Sequence, residues 1–410
     1  MVVRRGSSKQ RADVSRRQFI GTLLALTGVV VVGHVVGEEE RAVTTPAHKS
    51  LTQPGMYNVA GSGDISGVTD AAQINAIAGA GGTAILAPGY YRVNTSLTPT
   101  AGGGIVGPGG PNTAVIQMVS GFPANAAMIS IADQGCTVRN LKLEASGTPA
   151  AGSSGIYIND CTCAVVDTVS IGLLGAWGLL INGDCFNTSV NNLVCAGVSV
   201  QNGAGPALAN LALSGGGGGG PALQILNEHD VTVIGLGGVS AGVAPTVNII
   251  GACSSVVLDN VDVGPISSFA QPCISIGNSG GASPQGVIIS NGFIGGSTPN
   301  ILVTDASADV ILSNLLIGYA ETHGIVVNGA ATRVNVTDCH FYANGSVPGT
   351  NYDLEWTSTG NGTVANNWLD TPLGTGSGRV AAGIHVAAGQ VYSTGNWLEG
   401  TAPAAPSLLR

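Results

Sequence analysis

The sequence predicts an all-β fold: a right-handed, single-stranded parallel β-helix of about ten coils, with an Asn ladder and a short N-terminal capping helix. Three observations predict it. First, an Asn or Asp recurs between two short apolar stretches, at Asn140, Asp167, Asn192, Asn210, Asn260, Asn291, Asn314, Asp338, Asn367 and Asn396. The steps run from 18 to 50 residues, and the longest leaves room for a rung turning at Gly235. Asn suits a tight bend because it tolerates the left-handed region and its amide can bond the backbone. Second, short strands with alternating apolar residues precede each such bend, as in Ile129-Ser130-Ile131, Ile156-Tyr157-Ile158, Val247-Asn248-Ile249 and Ile274-Ser275-Ile276. Period-2 alternation points one set of side chains inward. Third, only 9% of residues are charged while 44% are hydrophobic, and 64 are Gly. That composition excludes disorder and fits strands stacked on strands.

The chain divides by composition. Residues 1–41 carry Arg4, Arg5, Lys9 and Arg11, then Ser15-Arg16-Arg17-Gln18-Phe19-Ile20 and an apolar run to Val36. This reads as a twin-arginine export signal, which places the mature protein in the cell envelope or outside the cell. The run is short for a spanning helix, so no stable membrane span is expected unless the signal stays uncleaved. Residues 42–54 are a linker and 55–100 a cap with the first strands. Residues 101–400 form the β-helix, and 401–410 a tail. Within the cap, Asp70 is placed as N-cap of a helix whose one face carries Ile74, Ile77 and Ala78, with Gly79, Gly81 and Gly82 ending it. Thr83–Leu86 and Tyr90–Val93 then read as strands around a Pro-Gly turn.

Charge and cysteines exclude several classes. The formal net charge is −9, and after residue 41 only Lys49, Arg92, Arg139, Lys142, Arg333, Arg379 and Arg410 are basic. A nucleic-acid partner is excluded. The run Gly215–Gly220 lacks a strand-to-helix setting, so no nucleotide cofactor is expected. The eight cysteines read as stacked buried thiols, with Cys136 and Cys163 on adjacent rungs and a bridge between them as the alternative. Cys161-x-Cys163 alone makes no metal site.

The stretches Tyr57-Asn58-Val59, Gly61-Ser62-Gly63-Asp64, Val68 to Ile74 and Gly82 to Val93 resemble the start of proteins in the pectate-lyase-like superfamily, in its lyase, glycoside hydrolase and tailspike-type branch. The resemblance implies a polysaccharide or glycan as partner. It implies an exported lyase or glycoside hydrolase, or alternatively a non-catalytic glycan-binding or structural β-helix of the envelope or of a spike-like assembly. Pectin-hydrolysing members carry clustered aspartates, Gly-His-Gly and Arg-x-Lys; this chain has Thr322-His323-Gly324 alone. Calcium-dependent members carry acidic ligands on neighbouring coils, and no acidic stripe is evident here, which leaves calcium open and no metal residues assigned.

Candidate site residues follow from the coil layout. Glu228-His229-Asp230 is the densest group, with Glu228 and Asp230 on one side and His229 on the other. Glu321 and His323 form a second candidate acid–base pair. Asp353, Glu355 and His385 form a third group on late coils. Trp177 and Tyr157, with Asp160, Asp184, Gln224 and Asn248 on strands and turns of one face, are candidate sugar-binding residues. Trp368 and Trp397 directly follow ladder residues and are placed inward as a core plug. Leu180, Leu302 and Val326 point outward as an exposed apolar stripe, which implies contact with another copy, as in a homotrimer.

Overall fold

The computed structural model describes residues 55–409 apart from 204, 216–218, 241–242, 266–269, 278–280, 346–350, 371–379 and 400–407. The expected export signal and linker, the middle of the glycine run and most of the tail lie outside the described residues.

The architecture is a parallel β-solenoid with about 12 turns rather than ten. One sheet has twelve strands and the other nineteen. The count rises because Val198–Gln201, Asn351–Trp356, Val380–Val386 and Leu408–Leu409 each add a strand to the smaller sheet. The first of these sits inside the short 18-residue step between Asn192 and Asn210.

Strict coil-to-coil register builds the core. In the twelve-stranded sheet, Ile129, Ile156, Leu179, Val198, Leu223, Val247, Ile274, Ile301, Ile325, Leu354 and Ile384 stack in one inward column. All are 0–2% exposed. Each such side chain stabilises the fold by about 1.5–3 kcal/mol. The alternate residues face out, and here the expected apolar stripe fails: Leu180 and Leu302 are half-buried and Val326 is buried.

The bend residues stack as a column with positive φ: Asn140, Thr168, Asn192, Asn210, Gly235, Asn260, Asn291, Asn314, Asp338, Asn366 and Gly395. Gly235 turns the rung expected of it. Three expected positions are off by one. Thr168 takes the bend in place of Asp167, Asn366 in place of Asn367, and Gly395 in place of Asn396. A one-residue slip exchanges the two faces of a strand. Asn367 and Asn396 therefore point inward and are 0% and 6% exposed. Their amides donate to the Val336 and Val364 carbonyls at 3.0 and 2.8 Å. The next residues, Trp368 and Trp397, turn outward and are exposed; they are not a core plug.

A second amide ladder, not anticipated, closes the turn after the twelve-stranded sheet. Asn182 donates to Asn159 at 2.8 Å, Asn202 to Asn182 at 3.0 Å and Asn227 to Asn202 at 3.4 Å.

The cap contains the helix Val68–Ala78, whose N-cap is Gly67 at φ 80. Asp70 is not the cap. It is buried and accepts hydrogen bonds from the Ser62 and Arg92 amides at 2.8 and 2.9 Å, tying the helix to the preceding loop and the next strand. Asp64 accepts the Thr69 amide at 3.0 Å instead. Every cysteine is a free thiol, and seven are buried. Cys163 is the exposed one, because register places Ala164 beside Cys136.

Candidate functional site

The three candidate groups fare differently. Glu228-His229-Asp230 comes apart. Glu228 is 0% exposed and turned into the core, while the Asp230 and His229 side chains are exposed. Asn227 and Asp230 both take positive φ, which breaks the alternation that put Glu228 and Asp230 on one side. His229 Nδ1 lies 3.2 Å from Asp230 Oδ2 in solvent. Neither carboxyl oxygen of Glu228 has a hydrogen-bond partner. Burial pushes its pKa up to about 7; the Gly203 and His229 amides are close enough to hold it back in part without making hydrogen bonds.

The late coils bring one member of the second group, His323, together with Glu355 and His385 of the third. In the strand Asn351–Trp356, Leu354 and Trp356 point inward and are fully buried. Glu355 therefore points out, in register with Val326 before it and His385 after it. His323 Nε2 lies 3.3 Å from Glu355 Oε2, and His385 Nδ1 lies 3.9 Å from Glu355 Oε1. The His323, Glu355 and His385 side chains are 16%, 23% and 25% exposed, so the carboxylate is flanked yet reachable.

Backbone geometry fixes the tautomer of His323. Its Nδ1 accepts the Tyr352 amide at 3.0 Å, so in the neutral ring the proton sits on Nε2 and faces Glu355. Burial holds the His323 pKa below the ordinary imidazole range, and the Glu355 carboxylate offsets part of that. The Tyr352 ring stacks between the two imidazoles, 5.7 Å from His323 and 4.3 Å from His385. Gly324 permits the close approach: a Cβ there would meet the Asp353 carbonyl oxygen at 2.6 Å.

A buried polar network backs this arrangement. The Asn344 amide donates to Asp353 Oδ1 at 3.0 Å and to the Ile317 carbonyl at 3.1 Å. Its oxygen accepts from the Ala320 amide at 3.1 Å and from Asn300 at 3.4 Å. Asn300, Asn344 and Asp353 are 0–2% exposed. Glu321 faces elsewhere, accepting from Thr298 Oγ1 at 3.1 Å. The structure thus joins His323 to the third group, through Glu355, and gives Glu321 a different partner. The signal in the sequence was spacing: His323, Glu355 and His385 stand 32 and 30 residues apart, close to one coil each.

The expected sugar-binding residues lie on earlier coils of the same sheet. Tyr157, Gln224 and Asn248 are half-buried on its outward face, and the Tyr157 hydroxyl donates to Asn159 at 2.7 Å. Asp160 and Asp184 are exposed on the following turns, and Trp177 is half-buried on the preceding one. Among the described residues no group of three or more His, Cys, Asp or Glu has the arrangement of a metal site.

No protein-family model matches the sequence, and no curated protein matches it. Solved structures match in shape. The A-module of an Azotobacter vinelandii mannuronan C-5 epimerase superposes with a TM-score of 0.54 at 12% identity, covering 83% of this chain and 96% of that one. The catalytic domain of a GH87 alpha-1,3-glucanase superposes at 0.55 and 13%, covering 90% and 70%. The Dettilon tailspike protein superposes at 0.54 and 10%, covering 82% and 68%. At 10–13% identity the likeness is one of fold, a parallel β-solenoid.

Proposed function

We propose that this chain cleaves a polysaccharide on the outward face of its twelve-stranded sheet, with Glu355 exchanging the proton. One observation carries the reading: a partly exposed carboxylate held between two imidazoles contributed by adjacent coils. In hydrolysis such a carboxyl protonates the departing glycosidic oxygen or deprotonates the attacking water. In elimination it removes the proton beside a uronate carboxyl. The Nε2 of neutral His323 faces it at 3.3 Å, and His385, whose Nδ1 is 3.9 Å away and hydrogen-bonds nothing, flanks it on the next coil. Two of the three structural neighbours bear names of enzymes that act on polysaccharides, which supports the substrate class. The export segment at 1–41 supports action in the envelope or outside the cell, where such polymers are met.

The test is incubation of the export-trimmed protein with acidic and neutral polysaccharides, following reducing ends and the absorbance of unsaturated products. Unsaturated products mean elimination, and reducing ends alone mean hydrolysis. Abolition of either by Glu355→Gln is the expected result. A second reading is a non-catalytic glycan binder. It is favoured by the burial of Asp353, the other carboxylate of that strand, in the network with Asn344, which leaves Glu355 without an accessible carboxylate beside it on the strand. Folded protein inactive across the whole panel would select it.

A further inference from the structure

The corrected register of Trp368 and Trp397 exposes a second surface, on the nineteen-stranded sheet. Strand pairing places Val194, Ala212, Gly237, Asp262, Phe293, Leu316, His340, Trp368 and Trp397 in one outward column. Nine coils at strand spacing make a track roughly 38 Å long and one side chain wide. Its two halves differ. On the earlier coils the small residues Ala212 and Gly237 floor a groove of ≈ 700 Å³. On the later coils aromatic rings fill the column. The Trp368 and Trp397 indoles are parallel within 13° at 6.4 Å, and they are 44% and 69% exposed. His340 meets Trp368 edge-on at 6.0 Å, Tyr342 meets His340 at 6.5 Å, and Tyr319 meets Tyr342 at 5.3 Å and Phe293 at 6.4 Å. Phe293 also lines the groove, so the two halves are continuous.

We propose that this track binds an extended, uncharged polysaccharide strand, laid along the solenoid axis with its sugar faces on the indoles. The chemistry of the surface selects that occupant. Aromatic faces with polar edges suit a ligand that alternates C–H faces with hydroxyls. Beside the rings runs the exposed bend column, whose Asn291, Asn314 and Asp338 side chains offer hydrogen bonds along the same axis. The strands carrying Phe293, Leu316, His340, Trp368 and Trp397 contain no Lys or Arg, so nothing there attracts an anionic polymer. A peptide strand has no place to pair, because the backbones of these strands are already paired on both sides within the sheet, Trp397's edge strand apart. Only 4% of the chain is aromatic, yet two of its four Trp stand here side by side and exposed.

The proposal does not need Glu355 to react, and its test is separable from that one. The export-trimmed protein would be run through native gels containing a soluble linear glucan, mannan or xylan, with polygalacturonate as the charged comparison. Wild type should be retarded by at least one uncharged polymer and show a Trp fluorescence change with it. Trp368→Ala with Trp397→Ala should weaken binding by about tenfold or more. Trp368→Phe with Trp397→Phe should restore part of it, and Glu355→Gln should leave it in place. Both indoles are exposed, so an unchanged melting temperature serves as the folding control. Unaltered binding by the Ala pair overturns the proposal, as does retardation by polygalacturonate alone or by no polymer. Sedimentation that shows wild-type oligomers dissociating in the Ala pair overturns it too, and assigns the track to a second copy of this chain.

Discussion

Two glutamates in this solenoid reverse the roles their surroundings in the sequence assign them. Glu228 sits in the densest acidic and imidazole cluster of the chain, and Glu355 has no acidic or imidazole neighbour but Asp353 within several residues. In the fold, Glu228 is sealed in the core near the thiols of Cys185 and Cys253, with neither oxygen bonded. Glu355 is partly exposed between two imidazoles. Adjacent residues in a pleated strand go to opposite sides, whereas residues one coil apart in sequence stand side by side. In a solenoid a reactive cluster is therefore assembled across coils, and a local cluster such as Glu228-His229-Asp230 is pulled apart by its own bends.

The comparison breaks or holds first on activity. Glu355→Gln should lower turnover by about 10²–10⁴-fold, the usual weight of a positioned acid or base. His323→Gln should lower it less and move the acid limb of the pH–rate profile, since His323 acts through Glu355. A loss at Glu228→Gln as large as at Glu355→Gln would reverse the assignment. The support behind Glu355 should show next, in stability. Asn344→Leu removes the amide that donates to the buried Asp353 carboxyl and the Ile317 carbonyl and should cost about 2–3 kcal/mol, read as a fall in the urea midpoint at unchanged slope.

The two regions should also respond to pH with opposite sign. Glu228 has a folded pKa raised from 4.5 to about 7, so the folded state holds a proton that the unfolded state has lost. Its contribution is complete below 4.5 and is lost as the pH rises through about 7. His323 has a folded pKa below 6.5, so its contribution is present above 6.5 and lost as the pH falls through the folded value. Glu228→Gln should flatten the loss of stability on the alkaline side, by on the order of 1–3 kcal/mol. His323→Gln should flatten the acid side. Urea titrations at three pH values would show it. Identical slopes for wild type and Glu228→Gln between pH 5 and 8 would mean that Glu228 is hydrated in solution.

Much of the fold was legible because its signals are local. Alternation in Val247-Asn248-Ile249 gives the inward side of a strand, and Gly235 declares a bend where no Asn stands. The site was less legible because its signals are differences of one residue. Nothing in Ala365-Asn366-Asn367-Trp368 says which Asn takes the left-handed conformation, yet that choice decides whether Trp368 is core or surface. Among the ten expected bend positions the slip occurs at Asp167, Asn367 and Asn396, and in each case two residues able to bend lie side by side. Likewise His323, Glu355 and His385 become neighbours only when each coil's length is known, and the turns between them vary.

The smallest expected effect tests the same distinction between sides within the Asn positions. Asn210 takes its bend at φ 53 with an exposed side chain, and its amide donates to Asn191 at 2.9 Å. Gly adopts that conformation freely, so Asn210→Gly removes one solvent-accessible hydrogen bond without adding strain, and about 0.5–1.5 kcal/mol should be lost. Asn367 holds no bend: its buried amide donates to Val336, and its oxygen accepts the Cys339 amide at 2.9 Å. Asn367→Gly leaves those backbone groups unpaired where water cannot reach, and the loss there should exceed that at Asn210. If the two variants melt together, the inward turn of Asn367 is wrong, and with it the outward turn of Trp368.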